Sequence, residues 1–182
     1  LDQRGRALRS LLAQSDPDWF AVAVASGFVP NLPLEARYFS VRGRADASKV
    51  EVLNDALNHL HLAASTGDMD CEWVAVLDDH DTVSPEFVAR CKEVEEVADV
   101  IIFRSHYARE VVLPHPLYPA LVPEEIGLGI VFRRAFAEHA ALRFEPVGDP
   151  LSYFLVQAEK SGARVLLHPA ISYFEKDTAP RG

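Results

Sequence analysis

The chain has 182 residues, of which 49% are apolar and 25% charged, and its formal charge is -9. This length supports one domain, residues 1–182, with a sizeable core, and the composition is that of a soluble globular protein. The acidic balance argues against nucleic acid as a partner. The absence of a long apolar run or a signal-peptide pattern argues against a membrane span and points to the cytoplasm.

Residues Gly5 to Ala13 place Ala7, Leu8, Leu11 and Leu12 on one helical face, and Ser15 to Asp18 stops that helix. Trp19 to Ala25 reads as a buried strand ended by Ser26-Gly27. A Pro/Asn loop runs to Pro33. Arg37 to Val41 is a second strand, and Arg42 to Ser48 a polar loop. Lys49 to Ala64 is the longest helical pattern, with Val52, Leu53, Ala56, Leu57 and Leu60 on one face. Ser65 to Asp70 is a turn, and Glu72 to Leu77 a strand. Pro85 to Val97 is a helix with Ser84 as its expected N-cap. Asp99 to Phe103 is a further strand.

Ser105 to Glu125 breaks the rhythm with four prolines, two histidines and two tyrosines, which marks a binding loop. Gly127 to Phe132 is a strand and Arg133 to Ala140 a helix. Pro150 to Lys160 is a helix with Leu151, Phe154, Leu155 and Ala158 inward, closed by Gly162. Val165 to Leu167 and Ile171 to Phe174 are short strands on either side of Pro169. Strands alternate with helices, so the expected fold is α/β, a three-layer arrangement around an open, mixed, mainly parallel sheet. Cys71 and Cys91 are not spaced as a redox or zinc pair and read as reduced thiols.

The chemistry concentrates after the strand at Glu72. Asp78-Asp-His-Asp81 brings three carboxylates and an imidazole to a strand end, where open α/β sheets build their sites. In an extended segment Asp78 and His80 point one way and Asp79 and Asp81 the other. Either pair suits a hard divalent ion, and the imidazole widens the choice towards manganese. The plainer reading is a polar turn that caps the following helix. Asp149 before Pro150 reads as an N-cap. Lys49 opens its helix, and His168 before Pro169 reads as a structural histidine. His59, His61 and His139 fall in helices as solvated residues. Arg133 and Arg134 are cations that could meet phosphate or acceptor charge.

Taken in order, several stretches resemble one family. Ala7-Leu-Arg-Ser-Leu-Leu-Ala-Gln-Ser-Asp-Pro-Asp-Trp19 is similar to the first helix and turn of the GT-A glycosyltransferases of the family-2 type. Lys49-Val-Glu-Val-Leu-Asn-Asp-Ala-Leu57 is similar to their Lys-x-x-x-Leu-Asn-x-x-Leu helix. Val76 to Pro85 resembles their Asp-x-Asp segment, and Ile130-Val-Phe-Arg-Arg134 a strand-to-helix junction. Gly148-Asp149 with its helix, then Gly162-Ala-Arg-Val165, resembles their catalytic acidic segment.

The resemblance implies a hexosyltransferase-like enzyme of polysaccharide biosynthesis. It would move a sugar, with inversion, from a nucleotide-diphosphate sugar, a UDP-sugar foremost, to a saccharide or other hydroxyl acceptor. It implies Mn²⁺ or Mg²⁺ held by Asp78 and His80, with Asp79 and Asp81 as the alternative register and His168 as a further ligand. Asp149 matches the catalytic base. Ser26, Lys49, Asp78 and Asp79 match donor-binding positions.

The chain departs from the family twice. It starts at the first helix, so the sheet lacks its first strand or is truncated before it. It also has Ala25-Ser26-Gly27 where the family has Asp-Asp-Gly-Ser. Two other readings follow. One is an inert GT-A-like binding or scaffold domain. The other is a phosphohydrolase of the haloacid-dehalogenase type, from Asp79-His-Asp-Thr-Val83.

Overall fold

The computed structural model describes residues 6–26, 38–67, 71–94, 96–107, 111–114 and 129–174. Its elements in chain order are α1 (Arg6–Leu12), β1 (Ala21–Ser26), β2 (Tyr38–Gly43), α2 (Lys49–Thr66), β3 (Trp73–Ala75), β4 (Thr82–Val83), α3 (Phe87–Glu93), β5 (Val100–Tyr107), β6 (Val111–Leu113), β7 (Ile130–Arg133), α4 (Arg134–His139), α5 (Pro150–Lys160) and β8 (Val165–Phe174).

Six strands form one mixed sheet in the order β3-β7-β5-β8-β4, with β6 on β5. β5 runs parallel to β8 and antiparallel to β7, and β7 is antiparallel to β3. β3, β5 and β8 therefore share one direction and end at one edge of the sheet. β1 and β2 form a separate parallel ribbon. Among the described residues no strand pairs with the second edge of β1 or of β3.

β5 is the centre of the fold. Val100, Ile101, Ile102 and Phe103 are all fully buried, because both faces of this strand are covered. Its alternation divides the core in two. Val100 and Ile102 face a cluster with Leu57 of α2, Ala137 of α4 and Phe154 and Leu155 of α5. Ile101 and Phe103 face a second cluster with Phe87 and Cys91 of α3, and Leu11 of α1 packs there too. The result is three layers, with α2, α4 and α5 on one face and α1 and α3 on the other. α2 also packs against β1, so one helix reaches from the ribbon to the main sheet.

Local sequence explains several boundaries. Ser48 and Glu51 form a reciprocal capping box at the start of α2, and Gly67 ends it in the left-handed region at φ 77°. The predicted inward face of α5, Leu151, Phe154, Leu155 and Ala158, is buried throughout. The α3 boundary differs from expectation. Ser84 does not cap it with its side chain. Instead Gln14, following α1, accepts from the Val88 N–H at 3.0 Å and donates to the Ser84 carbonyl at 2.7 Å. The two expected strands around Pro169 are one strand. Proline has no N–H to give the ladder, and β8 steps past it, so that Phe103 faces His168 and Arg104 faces Ile171. Of the expected binding loop, residues 105–107 extend β5 and Val111 to Leu113 form β6. Residues 108–110 and 115–125 of that loop lie outside the described residues.

Candidate active site

The edge where β3, β5 and β8 end gathers most of the predicted site residues. After β3, Val76 packs into one core cluster and Leu77 into the other, which anchors the chain before it turns outward. Residues 78–81 do not stay extended. The Asp81 N–H donates to the Asp78 carbonyl at 3.1 Å, closing a tight turn. The Ala7 N–H of α1 donates to the Asp79 carbonyl at 3.4 Å and holds the turn from a second side.

This turn sorts the four polar residues by burial rather than by strand alternation. Asp78, Asp79 and His80 are exposed. Asp81 is only 3% exposed, and its carboxylate accepts the Tyr173 hydroxyl at 3.0 Å. Burial, and next the Asp81 charge, push the Tyr173 phenol far above its ordinary range, so it stays a donor. Asp81 thus faces the sheet and binds β8. Asp79, by contrast, is exposed.

Lys49, the first residue of α2, meets the Asp78 carboxylate at 3.0 Å. α2 therefore begins at this edge. His80 Nε2 lies 3.3 Å from Asp79 Oδ1. Ser26 is the last residue of β1, opposite Gly43.

α5 also begins at this edge. Its far end joins β8 through residues 161–164, where Arg164 grips Asp99 just before β5. The start of α5 is a helix length of about 16 Å away from that contact. Asp149 sits there as the N-cap, and its Oδ2 accepts the Ser152 N–H and hydroxyl, each at 2.8 Å. The N-cap reading of Asp149 is a structural fact, and it holds the carboxylate in one orientation at the helix start.

A residue that the motif reading passed over ties these parts together. Asn54 of α2 donates to the Phe144 carbonyl at 2.9 Å and accepts its N–H at 3.0 Å. The segment leading to Asp149 is thereby pinned to the helix that carries Lys49. The Asn of the Lys-x-x-x-Leu-Asn pattern was the available signal.

Other predicted residues do not join the turn. The His168 ring packs on Phe103 at 4.8 Å, and its Nδ1 accepts the Ala170 N–H at 3.2 Å. Burial, then the nearby Arg90, push its pKa down, while Glu93 opposes, so the ring is held neutral beside α3. Among the described residues no three His, Cys, Asp or Glu side chains are grouped to hold a metal ion, so His168 does not complete a set with the 78–80 turn.

Arg133 ends β7, which runs opposite to β3 and β5, and Arg134 opens α4 directly after it, so both lie at the far edge. Arg133 pairs with Glu72, donates to the Ala98 carbonyl at 2.7 Å and covers the Trp73 ring. Arg134 donates to the Cys71 carbonyl and pairs with Glu138. Both clamp the fold rather than facing the site. His61 is not solvated, since its side chain is 13% exposed and burial lowers its pKa. Cys91 is a free thiol, and burial pushes it up to about 12.

No protein-family profile matches the sequence, and no curated protein sequence matches it. Solved structures do. The chain is similar to S. aureus TarS 1-349, with a TM-score of 0.69 and 13% identity over 94% of this chain. It is similarly related to the complexes of that protein with UDP, at a TM-score of 0.67, and with UDP-GlcNAc, at 0.65. This chain spans 56% of the length of the TarS 1-349 structure. The shared feature at this identity is the fold, which is GT-A-like. No helix among the described residues is long and apolar enough to cross a membrane.

Proposed function

We propose that the chain is a glycosyltransferase domain of the family-2 type, which binds a nucleotide-diphosphate sugar at the edge carrying Asp78, His80 and Asp149. The observation that supports this most is the coincidence of a GT-A-like fold with an exposed acidic turn at the end of β3, met there by Lys49 at the start of α2.

The side chains present fit a divalent cation of the Mn²⁺ or Mg²⁺ kind. Asp78 and His80 are exposed on one tight turn, and such ions take one or two protein ligands and complete their shell with substrate phosphate and water. A bound cation supplies charge neutralisation on the departing diphosphate. Lys49, already 3.0 Å from Asp78, can exchange that partner for a phosphate oxygen. Asp79 and Ser26 flank the donor. Asp149, oriented by Ser152, accepts the proton of the acceptor hydroxyl as the new glycosidic bond forms, which is the inverting course.

Calorimetric titration with UDP-GlcNAc, with and without Mn²⁺, tests the reading. Metal-dependent binding that weakens by at least about tenfold in Asp78→Ala is expected. Absence of metal-dependent binding of UDP or any UDP-sugar overturns it. A second reading, a binding module without turnover, is favoured by Ser26 at the position where the family carries a carboxylate. Turnover that is lost in Asp149→Asn excludes that second reading.

A further inference from the structure

We infer that Arg104 is an anion-binding residue of this edge, and that it takes a phosphoryl oxygen of a bound substrate. The inference rests on the proposed function for its setting, but on separate residues for its evidence. Arg104 follows the fully buried run Val100 to Phe103 towards the end of β5. Its backbone is singled out, because the pairing of β5 with β8 shifts register on both sides of it. The cause lies in β8. Pro169 offers no N–H, and the Ala170 N–H turns to His168 Nδ1. Irregularities of this kind re-aim a strand side chain and recur beside active sites.

The Arg104 Nε is buried and meets no hydrogen-bond partner. Among the described residues its guanidinium makes no ion pair either. Three other half-buried arginines are matched to acids: Arg90 to Glu86, Arg133 to Glu72 and Asp99, and Arg134 to Glu138. A buried guanidinium N–H without an acceptor is costly, so an oxyanion that supplies one is bound favourably. In a chain of charge -9, a fixed cation at this edge also offsets the acidic turn that a phosphate must approach.

β5 is two strands from β3, roughly 10 Å across the sheet. The phosphoryl group can therefore belong to the donor diphosphate or to the acceptor. Titration of the whole chain with inorganic phosphate and with UDP separates the two, using wild type, Arg104→Gln and Arg104→Lys. Arg104→Gln is expected to weaken at least one ligand by about tenfold, with Arg104→Lys recovering part of the loss. A loss for UDP assigns the donor diphosphate. A loss for inorganic phosphate with UDP unchanged assigns a phosphorylated acceptor. If Arg104→Gln does not fold, Arg104→Lys carries the test, with a loss of about threefold expected from the missing fork. Unchanged affinity for both ligands overturns the assignment, as does failure of the wild type to bind either. If UDP fails to bind the wild type while phosphate binding depends on Arg104, the glycosyltransferase reading falls and this one stands.

Discussion

Asn54→Ala gives the sharpest test of how the site is assembled. The Asn54 side chain satisfies both backbone polar groups of Phe144, at 2.9 and 3.0 Å, and Phe144 is only 3% exposed. The substitution leaves a buried N–H and a buried carbonyl without these partners. Each such loss costs about 1–3 kcal/mol, and partial access of water brings the pair to about 2–4 kcal/mol. For a chain of this size that corresponds to a fall in Tm of about 5–15 °C. Urea unfolding at neutral pH, followed by circular dichroism, measures the free energy directly. Asn54→Asp refines the test, since it keeps an acceptor for the Phe144 N–H but sets a second oxygen against the Phe144 carbonyl. It should be at least as destabilised as the alanine variant. A change below about 0.5 kcal/mol in Asn54→Ala, or an aspartate variant as stable as wild type, would refute the reasoning.

Two further outcomes follow from packing and charge. At Gly129 an added Cβ would lie 2.6 Å from the Phe103 carbonyl oxygen and 3.0 Å from Ser105 Oγ, both on the rigid central strand. Gly129→Ala should therefore cost about 1–3 kcal/mol in urea unfolding, and a neutral result would mean that β7 can move away from β5. Asp99 accepts the Arg164 guanidinium and its N–H, all at 2.9 Å, and the hydrogen bond to that guanidinium is the main force holding its carboxyl below the ordinary 3.8. The folded value lies below the unfolded one, so the unfolded state binds the extra proton. The stabilisation is complete above about pH 5 and is lost as pH falls through the lowered value. The stability gap between wild type and Asp99→Asn should be wide at pH 6.5 and narrower at pH 3.5, and an equal gap at both would contradict the assignment.

What the sequence reveals and what it conceals divides along the range of the interactions. The buried face of α5 is visible because Leu151, Phe154, Leu155 and Ala158 recur with the helical period, and one helix against one core is a local pattern. The run from Val100 to Phe103 announces a central strand for a similar reason. The antiparallel course of β7 leaves no comparable trace. Alternating strands and helices suggest shared direction, yet reversal of this one strand carries Arg133 and Arg134 to the edge away from Asp78. The contacts that complete the site come from distant positions: Asn54 with Phe144, Gln14 with Val88, and Tyr173 with Asp81.

The acidic turn shows why such pairs matter for chemistry. Four consecutive polar residues look interchangeable in the sequence, and strand alternation divides them two and two. The structure divides them three and one. A hydroxyl on β8 captures Asp81, and that capture fixes the turn so that Asp78, Asp79 and His80 remain outside. Asp81 therefore serves the site by leaving it. Its buried hydrogen bond joins the turn to the strand whose irregularity flanks Arg104, so the acidic and the cationic sides of the edge depend on one strand, β8.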